Sequence, residues 1–496
     1  MEWKAVVVKF SKVFASYFFV CSFLLSSPFH FCNDYTPYEF YTGISLFEHG
    51  MEEFLKIDLS RVSRCDDRSE YRFYSVYGSG GLKLPFEPEK VNRNAMLFSG
   101  EKRISEQDYF SGFFVYRHDL LWRKMWVHDR NPYLGIPFLL ADSTTGDFEL
   151  NGIVCNFRFI RELQNVPAFV GLSVLYGVDE EIKKIFPRPQ IKHRDLLVNI
   201  GGGYRFSQSS TFSMQFMYFD FQEISLTTRY DLEQNKTPIF FKIRGMDNPL
   251  VFRGQTSEER LKNQRGGFFE LELSTGLVSI VGSFEKASAK IVDGGAYPVD
   301  QGRWRSVRYI LGSEMFMGKK GNIPRSVYFR YHVNFQEAIH PDLNLVTYKF
   351  KRECFKAGLK VKFKCLSFNS VFDMGSFYSK LKRTDIFNGV LHYYSYFIPF
   401  GNFGVEDLSI GKMKFSLGGG FSQSVVRRKE IFSEREDWFY RKITVLENEY
   451  FSEGFSMYSL EGNISWGSYR LLVKSQWRGV SDRNRYTLRL SFGIVM

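Results

Sequence analysis

The sequence predicts an all-β fold, a transmembrane antiparallel up-and-down β-barrel of about 14 strands within a range of 12 to 16. Three observations carry this. The last twelve residues, Arg485 to Met496, alternate with period two. The joins between the last strands run long, short and medium. Mean hydropathy is −0.24 although 18% of the 496 residues are aromatic. Barrels combine these properties because half of every spanning strand is polar.

In the terminal strand, Tyr486, Leu488, Leu490, Phe492, Ile494 and Met496 share one face. Arg485, Thr487, Arg489, Ser491 and Gly493 share the other, as successive strand side chains must. Its length suits a tilted spanning strand, which needs roughly 9–11 residues. Before it, Tyr469, Leu471, Val473 and Trp477 oppose Arg470, Lys474, Gln476 and Arg478. Tyr458, Leu460, Ile464 and Trp466 oppose Ser459, Glu461, Asn463 and Ser465. Gly467-Ser468 reads as a tight hairpin turn. The Gly479–Asn484 join is longer, and the charged stretch 427–454 longer still. Short periplasmic turns and longer outer loops put Gly467-Ser468 inside and the other two joins outside. A soluble sandwich also alternates, but aromatics near strand ends and basic opposite faces favour a membrane barrel with a wet lumen.

Twelve further strands are predicted upstream of Lys412–Phe421. They begin with Asp108–Arg117, Phe148–Phe159, Ala168–Tyr176, Leu196–Phe206 and Phe212–Phe221. Phe268–Leu273, Leu277–Ala289, Arg303–Met315 and Ser326–Phe335 follow, then Leu343–Phe350, Leu359–Phe368 and Asn388–Phe397. Residues 1–27 read as a signal peptide, with Lys4, Lys9 and Lys12 before an apolar run too short to span a membrane. Residues 28–90 are irregular and read as a periplasmic or plugging segment, which leaves 91–496 for the barrel. Six cysteines form no metal-binding spacing. Cys354 and Cys365 are placed to face each other across a hairpin near Lys356-Ala357-Gly358, as a disulfide or as unpaired buried thiols.

The formal net charge is +12, without a clustered basic motif, which argues against nucleic acid. Lys360, Lys362 and Lys364 alternate with Leu359, Val361 and Phe363, and Lys412 and Lys414 flank Met413. With Arg330, His332, Arg470, Lys474 and Arg489 they are the expected lumen-facing residues. Basic lumen rings favour anionic solutes, unless carboxylates such as Glu270 and Glu272 balance them. Pro187, Arg188 and Pro189 form a stiff loop motif that holds Arg188 out toward an anion, or pairs it with Asp195. Gly201-Gly202-Gly203 lies inside a strand pattern and reads as a close approach. Asp142 and Asp147 flank a loop that could take Ca²⁺ without matching an EF-hand. No histidine has a nucleophile or HExxH context, so no catalytic residue, metal or cofactor is expected and the chain does not read as an enzyme.

Two irregular stretches carry more identity than the strands: Asn131–Ser143, and Phe186-Pro187-Arg188-Pro189-Gln190 leading to Gly201-Gly202-Gly203-Tyr204. With Asp108–Tyr116 they resemble an uncharacterised family of Bacteroidota outer-membrane β-barrels, often associated with TonB-dependent uptake components. The resemblance implies outer-membrane location and a barrel, and supplies no functional residues. It suggests a TonB-dependent receptor or surface lipoprotein as partner, beside outer-membrane lipid, lipopolysaccharide and the barrel-insertion machinery. The expected role is a channel or accessory barrel in uptake or export. The alternative is a structural or secretion-complex barrel with a filled lumen, and ion pairs crossing the lumen would mark it.

Overall fold

The computed structural model describes residues 67–496 apart from 131, 134, 208, 228–238, 247–248, 254–257, 295–296, 318–324, 366–367, 435–436 and 481–482. The expected signal peptide and residues 28–66 lie outside the described residues. β1 (Arg68–Gly80), β2 (Lys90–Arg103), β3 (Asp108–Val127), β4 (Phe138–Glu162), β5 (Ala168–Lys183), β6 (Gln190–Ser207) and β7 (Ser210–Thr227) run up and down in chain order. A hairpin of β8 (Ile239–Arg244) and β9 (Leu250–Arg253) interrupts. The wall resumes with β10 (Glu258–Ser274), β11 (Val278–Asp293), β12 (Val299–Met317), β13 (Arg325–Ile339), β14 (Val346–Cys365), β15 (Phe368–Asp385), β16 (Val390–Ile410) and β17 (Met413–Gln423). After β18 (Val425–Ser433), a π-helical turn (Tyr440–Thr444) runs into α1 (Val445–Ser452). β19 (Ser456–Trp466), β20 (Tyr469–Val480) and β21 (Arg483–Val495) complete the wall.

β7 pairs with β10, β17 with β19, and β21 returns to β1 with Phe492 opposite Phe73. The result is a closed antiparallel barrel of 18 strands. Closure leaves no unpaired edge, which is what a β-structure needs to sit in lipid. The exterior alternates are apolar and exposed, among them Phe73, Phe114, Leu172, Phe216, Leu311, Leu460 and Leu490. An even-stranded closed barrel with an apolar outer band belongs to the bacterial outer membrane.

The strand count of about 14 is corrected to 18. β1, β2 and β15 escaped the alternation because apolar residues occupy both of their faces: Tyr74 and Val76 point inward as Tyr71 and Phe73 point out. The barrel therefore starts at Arg68 rather than at residue 91. In the opposite sense, β14 is one strand where two were expected. Cys354 and Cys365 consequently lie eleven residues apart on one strand, about 36 Å at strand rise. No hairpin brings them together, and Cys354 is a buried free thiol.

Chain direction fixes the two ends. At the end holding Arg68 and Val495 the joins are short, such as 104–107, 411–412 and 467–468. The opposite end carries 128–137, 228–257 and 424–455. The latter is the outer end by loop length, which agrees with the orientation expected for Gly467-Ser468. The Gly479–Asn484 join is shorter than expected, because β20 and β21 stay paired out to Val480 and Arg483. Gly203 shows why the triple glycine sits mid-strand: a Cβ there would stand 2.4 Å from the Phe169 ring.

Candidate functional site

The site begins where β3 leaves register with β4, between Leu121 and Lys124 and again between Met125 and Val127. Arg123 and Trp126 adopt positive φ there, 54° and 58°. Bulges at barrel rims re-aim side chains. Here they bring the buried Lys124 to Glu181 of β5 at 2.5 Å, and its ammonium also donates to the Asp129 carbonyl at 3.1 Å. The chain then turns inward, as the described residues of the 128–137 join show. The cause is compositional: Ile136, Phe138 and Leu139 cannot stay in water, and all three are buried. Ile136 and Phe138 pack with Phe219, Phe268, Trp304 and Tyr348 of the wall. Gly135, with φ +90°, lies against the Gln336 side chain of β13, where no Cβ would fit.

This inserted loop is held by buried ion pairs. Asp129 meets Lys262 of β10 at 3.2 Å, and Lys262 also meets Glu223 of β7 at 3.3 Å. Arg130 reaches Asp179 of β5 at 2.6 Å and Asp195 of β6 at 3.0 Å. His193 joins the cluster through Asp179 at 2.6 Å and Glu223 at 2.9 Å. His128 contacts Asp142 at 2.7 Å, and Lys183 contacts the same carboxylate at 2.7 Å. Burial pushes the Asp129 carboxyl up to about 7, with Lys262 opposing. Burial also lowers the His128 imidazole, against the pull of Asp142. Breaking a buried pair by removing one partner costs about 3–5 kcal/mol, since the other charge is left uncompensated. The loop is therefore latched to the inner wall, where Tyr109, Asn156, Arg158, Ser173 and Leu175 are fully buried.

Between the inserted loop and the β14–β16 wall lies a cavity of about 480 Å³. Tyr133 and Ile136 of the inserted loop, Phe86 of the β1–β2 join, Ile243 of β8 and Met246 just after it form one side. Tyr348, Phe350 and Arg352 of β14, Arg383 of β15, Tyr396 of β16 and Arg478 of β20 form the other. The helical segment covers it with Phe439, Glu447 and Tyr450. These parts are tied together. The Phe86 N–H donates to the Tyr133 hydroxyl at 2.8 Å, and the Thr444 hydroxyl donates to the Met246 carbonyl at 2.6 Å. The Met246 N–H donates to Asp385 at 2.7 Å, and Arg383 pairs with Glu447 at 2.6 Å.

The expected lumen residues lie elsewhere. Arg330 and His332 of β13 alternate with exposed Phe329 and Tyr331, hence face inward. Lys360 and Lys362 of β14, Lys414 of β17, Arg470 and Lys474 of β20, and Arg489 of β21 share inward faces by the same alternation. The Lys364 side chain lies outside the described residues. Lys412 occupies the turn after Gly411, whose φ is +61°, and not the strand. Lys474 pairs with Glu461 at 3.2 Å and Lys362 approaches Glu406 at 3.8 Å, whereas Glu270 accepts from Gln215 at 2.6 Å. None of these residues lines the cavity. Pro187 and Pro189 are buried and Arg188 is exposed in the β5–β6 join, while Asp195 is taken by Arg130 instead. Asp142 is engaged by His128 and Lys183, and among the described residues no cluster suits a metal ion. Sequence reasoning missed the inserted loop's ion pairs and the cavity arginines. The available signal was an apolar Asn131–Ser143 stretch in what had to be a long outer join.

Residues 62–496 match the Family of unknown function (DUF6850), and the chain belongs to that family. No curated protein matches it. The ferric-catecholate import receptor Fiu of Escherichia coli K12, in its closed form, is similar at TM-score 0.46 and 8% identity, over 86% of this chain and 81% of that one. The alcaligin outer-membrane receptor FauA of Bordetella pertussis gives TM-score 0.40 and 7% identity over 87% and 76%. The ferric preacinetobactin receptor BauA of Acinetobacter baumannii gives 0.37 and 10% over 87% and 80%.

Proposed function

We propose that this member of the DUF6850 family is a plugged accessory barrel of the outer membrane that captures a small solute at its outer end and admits it only when the inserted loop is released. The observation that carries this reading is the loop itself. Its described residues, 128–130, 132–133 and 135–137, lie inside the barrel, are latched to β5, β6 and β10 by buried ion pairs, and form one wall of a ligand-sized cavity. Cavities of roughly 300–1,000 Å³ hold small organic ligands. A purely structural barrel with a filled lumen is the second reading. The cavity set against the plug favours capture, because a scaffold needs no such space.

The test is solute flux from proteoliposomes. The full-length protein should retain small anions and neutral sugars, and replacing residues 129–137 by a short Gly/Ser linker should release them. Free flux through the unmodified protein would refute the plug. Retention by the loop-replaced protein, folded as judged by heat-modifiable mobility, would favour the scaffold.

A further inference from the structure

We propose that the outer cavity binds an amphipathic organic anion with a flat, ring-containing body. The inference deepens the reading of the outer end as the capture end and rests on it. Three features of the lining select this chemistry.

The first is the aromatic wall. Tyr133, Tyr348, Tyr396 and Tyr450 stand among phenylalanines, so the lining offers ring faces with hydroxyl edges. Flat bodies gain most from such walls, through offset stacking and edge contacts. The second is the state of the carboxylates. Each of the three lining glutamates is already held by an arginine: Glu447 by Arg383 at 2.6 Å, Glu453 by Arg483 at 2.7 Å and Glu87 by Arg485 at 3.4 Å. A cationic guest would have to displace an arginine to find its counter-charge. The third is the cations. Arg352 and Arg478 line the space beside Arg383, which Glu447 holds, and the Arg478 guanidinium also donates to the Tyr450 hydroxyl. The Arg478 guanidinium lies over the Tyr450 ring at 4.4 Å and the Phe455 ring at 4.1 Å. Stacking of this kind fixes the guanidinium plane, and a fixed planar fork suits a carboxylate, sulfonate or phosphate.

The placement also joins recognition to the plug. Tyr133 and Ile136 belong to the inserted loop, so a guest in the cavity touches the element that seals the lumen. A ligand shifts a conformational balance only through differential contact with its two states, and this site supplies that contact.

The experiment is calorimetric titration of the full-length protein in lipid nanodiscs, with empty nanodiscs as blank. The probes are 2-naphthalenesulfonate, neutral 2-naphthol and cationic 2-naphthylmethylammonium. The sulfonate should bind saturably at one site, at least tenfold tighter than either companion. Arg352→Gln and Arg478→Gln should each weaken it several-fold, Arg478→Lys less, and Arg205→Gln, half-buried near the opposite end of β6, not at all. Equal binding of the three probes, preference for the cation, or unchanged sulfonate binding in folded Arg352→Gln and Arg478→Gln proteins would overturn the proposal. If those variants do not fold, the charge series on the unmodified protein decides alone. Flux plays no part in this titration, so the plug can fail without the site failing, and the reverse.

Discussion

Lys262 of β10 reaches across the outer end of the barrel to Asp129 of the inserted loop at 3.2 Å, and its other contact, Glu223 at 3.3 Å, belongs to the neighbouring strand β7. One ammonium thus ties wall to plug. Lys262→Ala leaves two buried carboxylates without it and should weaken the closed loop by about 3–5 kcal/mol. The barrel fold should survive, since no strand pairing depends on this side chain. Limited proteolysis within residues 128–137, hundreds-fold faster in the variant, checks this.

The plug should also respond to pH. Burial raises the Asp129 carboxyl from 3.8 to about 7 in the closed state. A released loop returns it toward the ordinary value, so between these limits the closed state binds the extra proton. Closure then strengthens as pH falls from about 7 toward 4, and weakens as pH rises toward 7. His128 works in the other direction, because burial disfavours its imidazolium in the closed state. The difference between the unmodified protein and Asp129→Asn isolates the first group. That difference in loop opening should grow with pH by at most about tenfold per unit and level off above 7. A difference of opposite sign contradicts the assignment.

The lipid face can be tested by charge. Leu490 of β21 is exposed on the outside and its neighbour Arg489 points to the lumen, where it lies over the Tyr74 ring. Leu490→Arg should destabilise the barrel by about 2–4 kcal/mol if it sits near the bilayer midplane. Equilibrium refolding into phospholipid vesicles reads this, with Gln476→Arg on the lumen side as the milder control.

Gly203 and Phe169 form a close pair across β5 and β6. A Cβ at Gly203 would stand 2.4 Å from the ring, which is itself buried. Gly203→Ala should cost about 1–3 kcal/mol through overpacking. Phe169→Leu in the same chain should recover part of that loss, so the double-variant cycle should be non-additive. Additivity would mean that the ring moves aside freely.

Barrel class and outer-membrane location were legible in the sequence because lipid and water demand opposite chemistry on alternate residues. Tyr486, Leu488 and Leu490 against Arg485, Thr487 and Arg489 show it plainly. Strand number was less legible. β1 and β15 bury apolar side chains such as Tyr74 and Phe377 inside the lumen as well, and two apolar faces erase the alternation. In β14, Gly358 read as a turn, yet it is a mid-strand close approach under the Tyr328 ring. The plug and cavity were illegible for a different reason. Lys262, Asp129 and Arg383 meet partners 133, 133 and 64 positions away, and only the closed barrel brings those together.

The proposed function depends above all on the latched loop sealing the lumen. Single-channel recording in planar bilayers addresses it most directly, with the unmodified protein beside the Arg130→Ala/Lys262→Ala double variant. A silent unmodified barrel and discrete conductance steps in the variant are predicted. Stable open steps from the unmodified protein, or a variant as silent as its parent though folded and inserted, would contradict it.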